Sequence, residues 1–135
     1  MFVSANTNYD FNMKETTPLI CIVDDDPSVR RALGRMVRSF GFDVQLLSSG
    51  RECLDGLDVD HASCLIVDVM MPDMDGFELQ ALLAASDRNI PTIFLSGQKS
   101  KNDFDRATLA DCIAILEKPC ETSLLQNAIE EAIAT

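Results

Sequence analysis

The chain has 135 residues, the size of a single domain that can bury a core without metals or disulfides. Twenty-two acidic residues against eleven basic ones give a formal net charge of −11; a surface of that sign repels a nucleic-acid backbone and argues against direct DNA binding by this segment. Apolar residues at 47% and charged residues at 24% exclude a disordered chain. No apolar run reaches the eighteen or so residues that span a bilayer, and the start MFVSANTNYDFNMKE lacks the basic and apolar regions of a signal peptide; the expectation is a soluble cytoplasmic protein without a membrane partner.

Residues 1 to about 17 are polar and without sustained period, and read as a flexible N-terminal extension before a domain over 18–135. From Pro18 onward short apolar runs alternate with segments of helical period, the pattern of repeated βαβ units. Leu19-Ile20-Cys21-Ile22-Val23 is apolar at every position, as a strand covered on both faces should be, and it stops at Asp24, Asp25 and Asp26. Asp26 serves as a helix N-cap with Pro27 at the first helical position. Val29, Ala32, Leu33, Met36, Val37 and Phe40 then recur at three- and four-residue spacing until Gly41. Phe42 to Leu47 alternates through Gln45 and reads as an exposed edge strand. Ser49-Gly50-Arg51-Glu52 reads as a capping box for a short second helix.

Cys64-Leu65-Ile66-Val67 is a further apolar strand, ending in Asp68, and Pro72-Asp73-Met74-Asp75-Gly76 supplies the turn before a third helix from about Asp75 to Ala85. Thr92 to Leu95 is a fourth strand ending at Ser96. A weaker helix over 101–110 has only Phe104, Ala107 and Ala110 to bury, which suggests that it moves. Ile113 to Leu116 is the fifth strand, and Leu124, Leu125, Ala128, Ile129, Ala132 and Ile133 keep helical period to the end. The five cysteines, Cys21, Cys53, Cys64, Cys112 and Cys120, are odd in number, show no C-x-x-C spacing and read as reduced core thiols. The single histidine, His61, follows acidic residues with no partner at metal spacing and reads as surface.

In an all-parallel doubly wound sheet the ligand site lies beyond the carboxyl ends of the strands. Those ends carry Asp24, Asp25 and Asp26, then Asp68, then Ser96, then Glu117 and Lys118. Each alone reads as a cap, a loop hydroxyl or a solvated turn residue. Together, converging carboxylates repel one another unless a cation or raised pKa values relieve them. Magnesium fits such a site, since it takes hard oxygen ligands and is commonly held by one or two carboxylates with phosphate oxygens. Ser96 could donate to a phosphate oxygen, Lys118 supplies positive charge, and a carboxylate can act as nucleophile to form an aspartyl phosphate.

Ile22-Val23-Asp24-Asp25-Asp26, Leu65 through Gly76, Phe94-Leu95-Ser96-Gly97 and Glu117-Lys118-Pro119, in that order, resemble the receiver domains of two-component response regulators over roughly residues 18 to 134. Glu78-Leu79-Gln80, Pro91 to Gly97 and Leu124 to Ile129 look similar to receivers of the nitrogen-fixation-regulator type. The resemblance implies a flavodoxin-like α/β fold, a five-stranded parallel sheet in the order 2-1-3-4-5 with five helices. It implies Asp68 as phosphoacceptor, and Mg2+ held by Asp24, Asp25, Asp68 and the Met70 main-chain carbonyl. Ser96 stands as the switch residue that binds a phosphoryl oxygen, and Lys118 offsets phosphate charge, often before a cis proline, here Pro119. Gly97 keeps the pocket open, while Met70 and Gln98 tune the lifetime of the signal. It further implies a sensor histidine kinase or phosphotransfer protein as donor, an output protein or a C-terminal effector domain, a homodimer as one assembly, and a switch rather than a metabolic enzyme.

Three departures stand out. Ile115 replaces the usual Tyr or Phe of strand five, Cys120 follows Lys-Pro where Phe is common, and Asp111-Cys112 replaces a Gly-Ala-like pair. Switching is therefore expected to run through the loop after strand four and the weak fourth helix. Two rival readings are a haloacid-dehalogenase-like phosphatase, in which Asp24-x-Asp26 would make Asp24 the nucleophile, and a receiver-like binding module that is not phosphorylated.

Overall fold

The computed structural model describes residues 17–56, 58–97 and 101–135. The extension assigned to the first residues and the tuning position Gln98 therefore fall outside the described residues, apart from residue 17.

Five parallel strands form one sheet in the order β2-β1-β3-β4-β5: β1 Leu19–Val23, β2 Asp43–Leu47, β3 Cys64–Asp68, β4 Thr92–Ser96 and β5 Ala114–Glu117. The helices are α1 Pro27–Ser39, α2 Gly50–Asp55, α3 Gly76–Ala85, α4 Lys101–Ala110 and α5 Thr122–Ala134, with a 3-10 turn over Asp58–His61. Fold class and strand order agree with the expectation. β5 is shifted one residue toward the carboxyl end of the predicted run, and β2 starts at Asp43 rather than Phe42.

Side-chain alternation along the strands splits the core into two layers. Ile20, Ile22, Cys64, Ile66, Ile93 and Leu95 pack against Leu33 and Val37 of α1 and Leu125, Ala128, Ile129 and Ala132 of α5. Cys21, Val23, Leu65, Val67 and Phe94 face Cys53 of α2, Phe77, Leu79 and Leu83 of α3 and Ala107 of α4. Both faces of β3 and β4 are covered, which is why those runs contain no alternating polar residue. β2 is the partly exposed edge its Gln45 suggested.

Helix starts follow local chemistry. Asp26 Oδ1 accepts from Ser28 N at 2.9 Å and Val29 N at 3.3 Å, capping α1 ahead of Pro27. Ser49 Oγ accepts from Glu52 N at 3.0 Å, and the Glu52 carboxylate reaches back to Ser48, one residue before the cap. Asp75 and Glu78 form a reciprocal capping box at α3, so Asp75 is the cap rather than the first helical residue. Gly41 at φ +98 ends α1, and Asp111 at φ 58 holds the left-handed position after α4 where a glycine-like pair is usual.

Three apolar expectations fail, the third being Leu124 at the start of α5, which is 50% exposed while Leu125 next to it is buried. Ala32 lies on the exposed side of α1, because Leu33 and Val37 already fill the contact with the sheet. Phe104 is 57% exposed, because α4 touches the sheet through Ala107 instead. Among the cysteines, Cys21, Cys53 and Cys64 are buried, whereas Cys112 and Cys120 are half-buried; all five are free thiols. Among the described residues no helix is long and apolar enough to cross a membrane.

The start of α3 presses against the end of β3. A Cβ on Gly76 would stand 2.6 Å from the Asp68 carbonyl oxygen and 3.0 Å from Val67 Cγ1, whereas one on Gly97 would meet nothing within 4 Å. Gly76→Ala should therefore destabilise the protein by about 1–3 kcal/mol through backbone displacement, and Gly97→Ala by no more than about 0.5 kcal/mol, as read by urea unfolding of the two variants.

Candidate functional site

β1, β3, β4 and β5 end at one edge of the sheet because their registers are parallel: Val23 lies opposite Val67, Asp68 opposite Leu95 and Ser96 opposite Glu117. Main-chain bonds carry the alignment past the strand ends, with Val69 N donating to Leu95 O at 2.9 Å and Lys118 N to Ser96 O at 2.8 Å. Four residues far apart in the chain, Asp24, Asp68, Ser96 and Lys118, thereby reach the same end of the fold.

Asp24 and Asp68 are 1% and 5% exposed, burial that carboxylates accept only with partners. One carboxylate oxygen from each of Asp24, Asp25 and Asp68 can be chosen so that all three lie within 4.8 Å of one another. Lys118 Nζ stands 3.1 Å from Asp24 Oδ2 and 3.3 Å from Asp68 Oδ2. Asp24 Oδ1 accepts from Asp26 N at 2.9 Å, and Asp68 Oδ1 from Met70 N at 3.2 Å. Arg30 reaches back from α1 to the Asp24 carbonyl at 2.7 Å. The Lys118-Pro119 peptide is cis.

Three carboxylates against one ammonium leave the cluster net negative. Burial and the neighbouring Asp24 raise the pKa of Asp68, against the opposing pull of Lys118 and the Met70 amide. Burial alone would lower the pKa of Lys118, but Asp24 and Asp68 together outweigh it and hold the ammonium above the ordinary lysine value. Asp24 Oδ2 is buried and has no well-formed hydrogen bond, only its ionic contact with Lys118. A buried carboxylate oxygen partnered by a single ammonium, in a set of hard oxygen donors with Asp25 exposed on the solvent side, fits a small divalent cation.

Ser96, although buried at the same edge, turns its Oγ to Asp103 Oδ2 at 3.1 Å. Asp103 was not singled out in the sequence. Its signal was the spacing of Asp103 and Arg106 on one side of a helix poor in apolar residues. The Met70 side chain is 74% exposed and Gly97 is exposed. His61 is on the surface, as expected. Burial pushes the thiols of Cys21 and Cys64 up to about 12 and that of Cys53 up to about 11, which leaves them inert as nucleophiles. Asp26 is spent on capping α1, so the two-aspartate motif of the phosphatase reading does not point a second acid at the site. A groove of about 650 Å3 lined by Phe77, Ile90, Pro91 and Ile113 lies toward the opposite end of the strands and contains none of the clustered carboxylates.

The raised Asp68 pKa has a stability consequence. The folded state binds this proton more tightly than the unfolded chain, so the contribution of Asp68 is fully favourable below the unfolded value and is lost as pH rises through the folded one. At neutral pH the ionised group is a net cost. In the presence of a chelator, Asp68→Asn should raise the urea midpoint at pH 7, and the gain should shrink as pH falls toward about 4; an equal gain at both pH values would contradict the electrostatic account.

Residues 20–130 match the response regulator receiver domain family. The response regulator protein TmoT of Ectopseudomonas mendocina is 37% identical over 122 residues, covering 90% of this chain and 56% of the relative. Nodulation protein W of Bradyrhizobium diazoefficiens is 34% identical over 117 residues, covering 87% and 52%. The solved structure of response regulator StyR superposes with a TM-score of 0.81 at 35% identity, covering 88% of this chain and 60% of that one. The FIXJ-N crystal structure gives 0.80 at 32% identity, covering 88% and 95%. The chain spans about half the length of the curated relatives it matches. A parallel sheet in the order 2-1-3-4-5, an aspartate cluster bridged by a lysine, and a family match over most of its length lead to one conclusion: the chain belongs to the response regulator receiver domain family.

Proposed function

We propose that Asp68 accepts a phosphoryl group from a phosphohistidine of a sensor histidine kinase or phosphotransfer protein in the cytoplasm, and that the resulting change drives an output domain or a separate output protein. The observation that carries this reading is the Lys118 ammonium set between buried oxygens of Asp24 and Asp68, at 3.1 and 3.3 Å. Asp24, Asp25, Asp68 and the Met70 main-chain carbonyl would hold Mg2+, whose charge would offset the carboxylates and favour approach of an anionic phosphoryl group.

The residues of the chain supply the rest. Lys118 favours the ionised, nucleophilic form of Asp68 against burial and the repulsion of Asp24. The Met70 amide holds one Asp68 oxygen. A carboxylate oxygen of Asp68 bonds to phosphorus as the bond from phosphorus to the donor imidazole breaks, and the electron pair leaves with the imidazole nitrogen. Lys118 then stands beside the new phosphoryl oxygens, and the Ser96 hydroxyl donates to one of them. Attack of water at phosphorus breaks the bond to Asp68, releases inorganic phosphate and restores the carboxylate. The chain is thus a switch with a finite lifetime. A reading without phosphorylation has no support from the site residues, since Asp24, Asp25, Asp68, Ser96 and Lys118 are all present.

Intact mass after incubation with magnesium and acetyl phosphate tests the acceptor. A single phosphoryl adduct is expected on the wild type, none on Asp68→Asn, and none on the wild type in excess chelator. An adduct persisting on Asp68→Asn would move the acceptor elsewhere and sink the reading. Lys118→Ala should still be labelled, about tenfold or more slowly, and its phosphorylated form should lose the spectral changes that the wild type shows; a variant that responds like the wild type would remove Lys118 from the mechanism.

A further inference from the structure

Helix α4 is held differently from the other long helices. Ala107 is the one buried residue among its described side chains, and Phe104 points to solvent. Among the described residues, Gln80 of α3 donates to the Ala110 carbonyl at the end of the helix at 2.9 Å, and two side chains of the helix, Asp103 and Arg106, reach groups outside it. Asp103 Oδ2 accepts from Ser96 Oγ at 3.1 Å. Arg106 NH1 lies 3.1 Å from Asp75 Oδ2, with its guanidinium 4.5 Å above the centre of the Phe77 ring. Asp103 and Arg106 are three residues apart and share one helix side. Asp75 is itself anchored, since its other oxygen caps Glu78 N at 2.8 Å. One contact therefore ties α4 to the hydroxyl at the end of β4, the other to the loop that leaves Asp68.

A serine hydroxyl has one proton to donate. In the structure that proton is directed to the Asp103 carboxylate, an anionic oxygen acceptor of the same kind as a phosphoryl oxygen. Exchange of one for the other replaces one anionic acceptor by another, so the hydroxyl keeps a charged partner in either state. Asp103 is half-buried, so its carboxylate is within reach of water when Ser96 turns away.

We infer that Asp103 is a positioning residue for Ser96: its carboxylate competes with the phosphoryl oxygens for the Ser96 hydroxyl, and phosphoryl acceptance frees the N-terminal half of α4, which turns about the Arg106 to Asp75 contact. The inference rests on the proposed role of Asp68 and adds what opposes it. The same exchange gives a route from the acceptor to α4 without an aromatic residue at position 115, where Ile115 packs partly buried beside the layer that includes Ala107.

The test uses beryllium fluoride with magnesium as a phosphoryl mimic and amide hydrogen exchange in α4. Asp103→Ala should lower the half-saturating beryllium fluoride concentration by about three- to tenfold, the worth of one hydrogen bond to a charged group. Without the mimic, the same variant should exchange its first α4 amides at the rate of the mimic-bound wild type. Asp103→Asn, whose amide oxygen still accepts from Ser96, should restore most of the wild-type behaviour. Asp105→Ala removes the same charge two residues away, where the carboxylate is exposed and pairs with Lys101 at 3.1 Å, and should change neither reading. Unchanged exchange in mimic-free Asp103→Ala overturns the latch whatever the anion does, and an Asp105→Ala variant that copies Asp103→Ala overturns it in favour of bulk charge. A wild type that fails to bind beryllium fluoride with magnesium overturns the acceptor reading instead, and the competition with it.

Discussion

The Lys118 ammonium between Asp24 and Asp68 is the contact on which the functional edge of this protein depends. Two carboxylates with almost no exposed surface would cost several kcal/mol each if left unpaired. One lysine, delivered from beyond β5 across the width of β4, offsets both. The compensation is incomplete, because three acids face one base. The residual negative charge disfavours the resting fold and favours any cation or charge redistribution that relieves it. Stability and function meet at this point: the groups that weaken the fold are those that chemistry at this edge would use.

The sheet makes this arrangement unavoidable. Parallel strands bring every carboxyl end to one side. Alternation within each strand then leaves two apolar layers above and below, and the acids, hydroxyl and ammonium of the cluster stand where β1, β3, β4 and β5 stop. Phe94, fully buried in β4, stacks at 4.5 Å on Phe77 of α3, and one turn of packing away Arg106 covers the same ring. The rigid middle of the domain thus runs directly into its loosely attached helix. α1 and α5 are fastened by rows of buried aliphatic side chains, whereas the described side chains of α4 offer Ala107 and Ala110 to the core and add the polar contacts of Asp103 and Arg106. Polar contacts with half-exposed groups exchange partners cheaply, which places α4 at the low-stability end of the molecule.

Much of this was legible from residues in order. Strands β1, β3 and β4 are visible as wholly apolar runs because both their faces are covered, and the aspartates, serine and lysine at their ends are visible because polar residues interrupt those runs. Caps at Asp26 and Ser49 are local hydrogen-bond chemistry and need no tertiary information. Other features were not legible. Phe104 looks like a core residue by composition, but α4 turns Ala107 and Ala110 to the core and Asp103 and Arg106 to their polar partners, which leaves Phe104 outside. Ala32 shares the period of its helix yet lies beyond the width of the contact. The one-residue offset of β5 follows from its pairing with β4, where Ser96 meets Glu117.

What the sequence by itself determined was the alternation of elements, the class of sheet, and the inventory of acids, hydroxyl and ammonium at the strand ends, since each depends on hydrophobic period or on groups within a few residues. Only the tertiary structure decided which of those groups touch. That Lys118 meets both Asp24 and Asp68 and that Asp75 receives Arg106 are facts of register and helix orientation between segments far apart in the chain, and that Ser96 rests on Asp103, seven residues on, depends on how α4 is set against the end of β4. Contacts of that kind are set by how two packed layers fit together over the whole domain, and no pattern of residue types along the sequence specifies them.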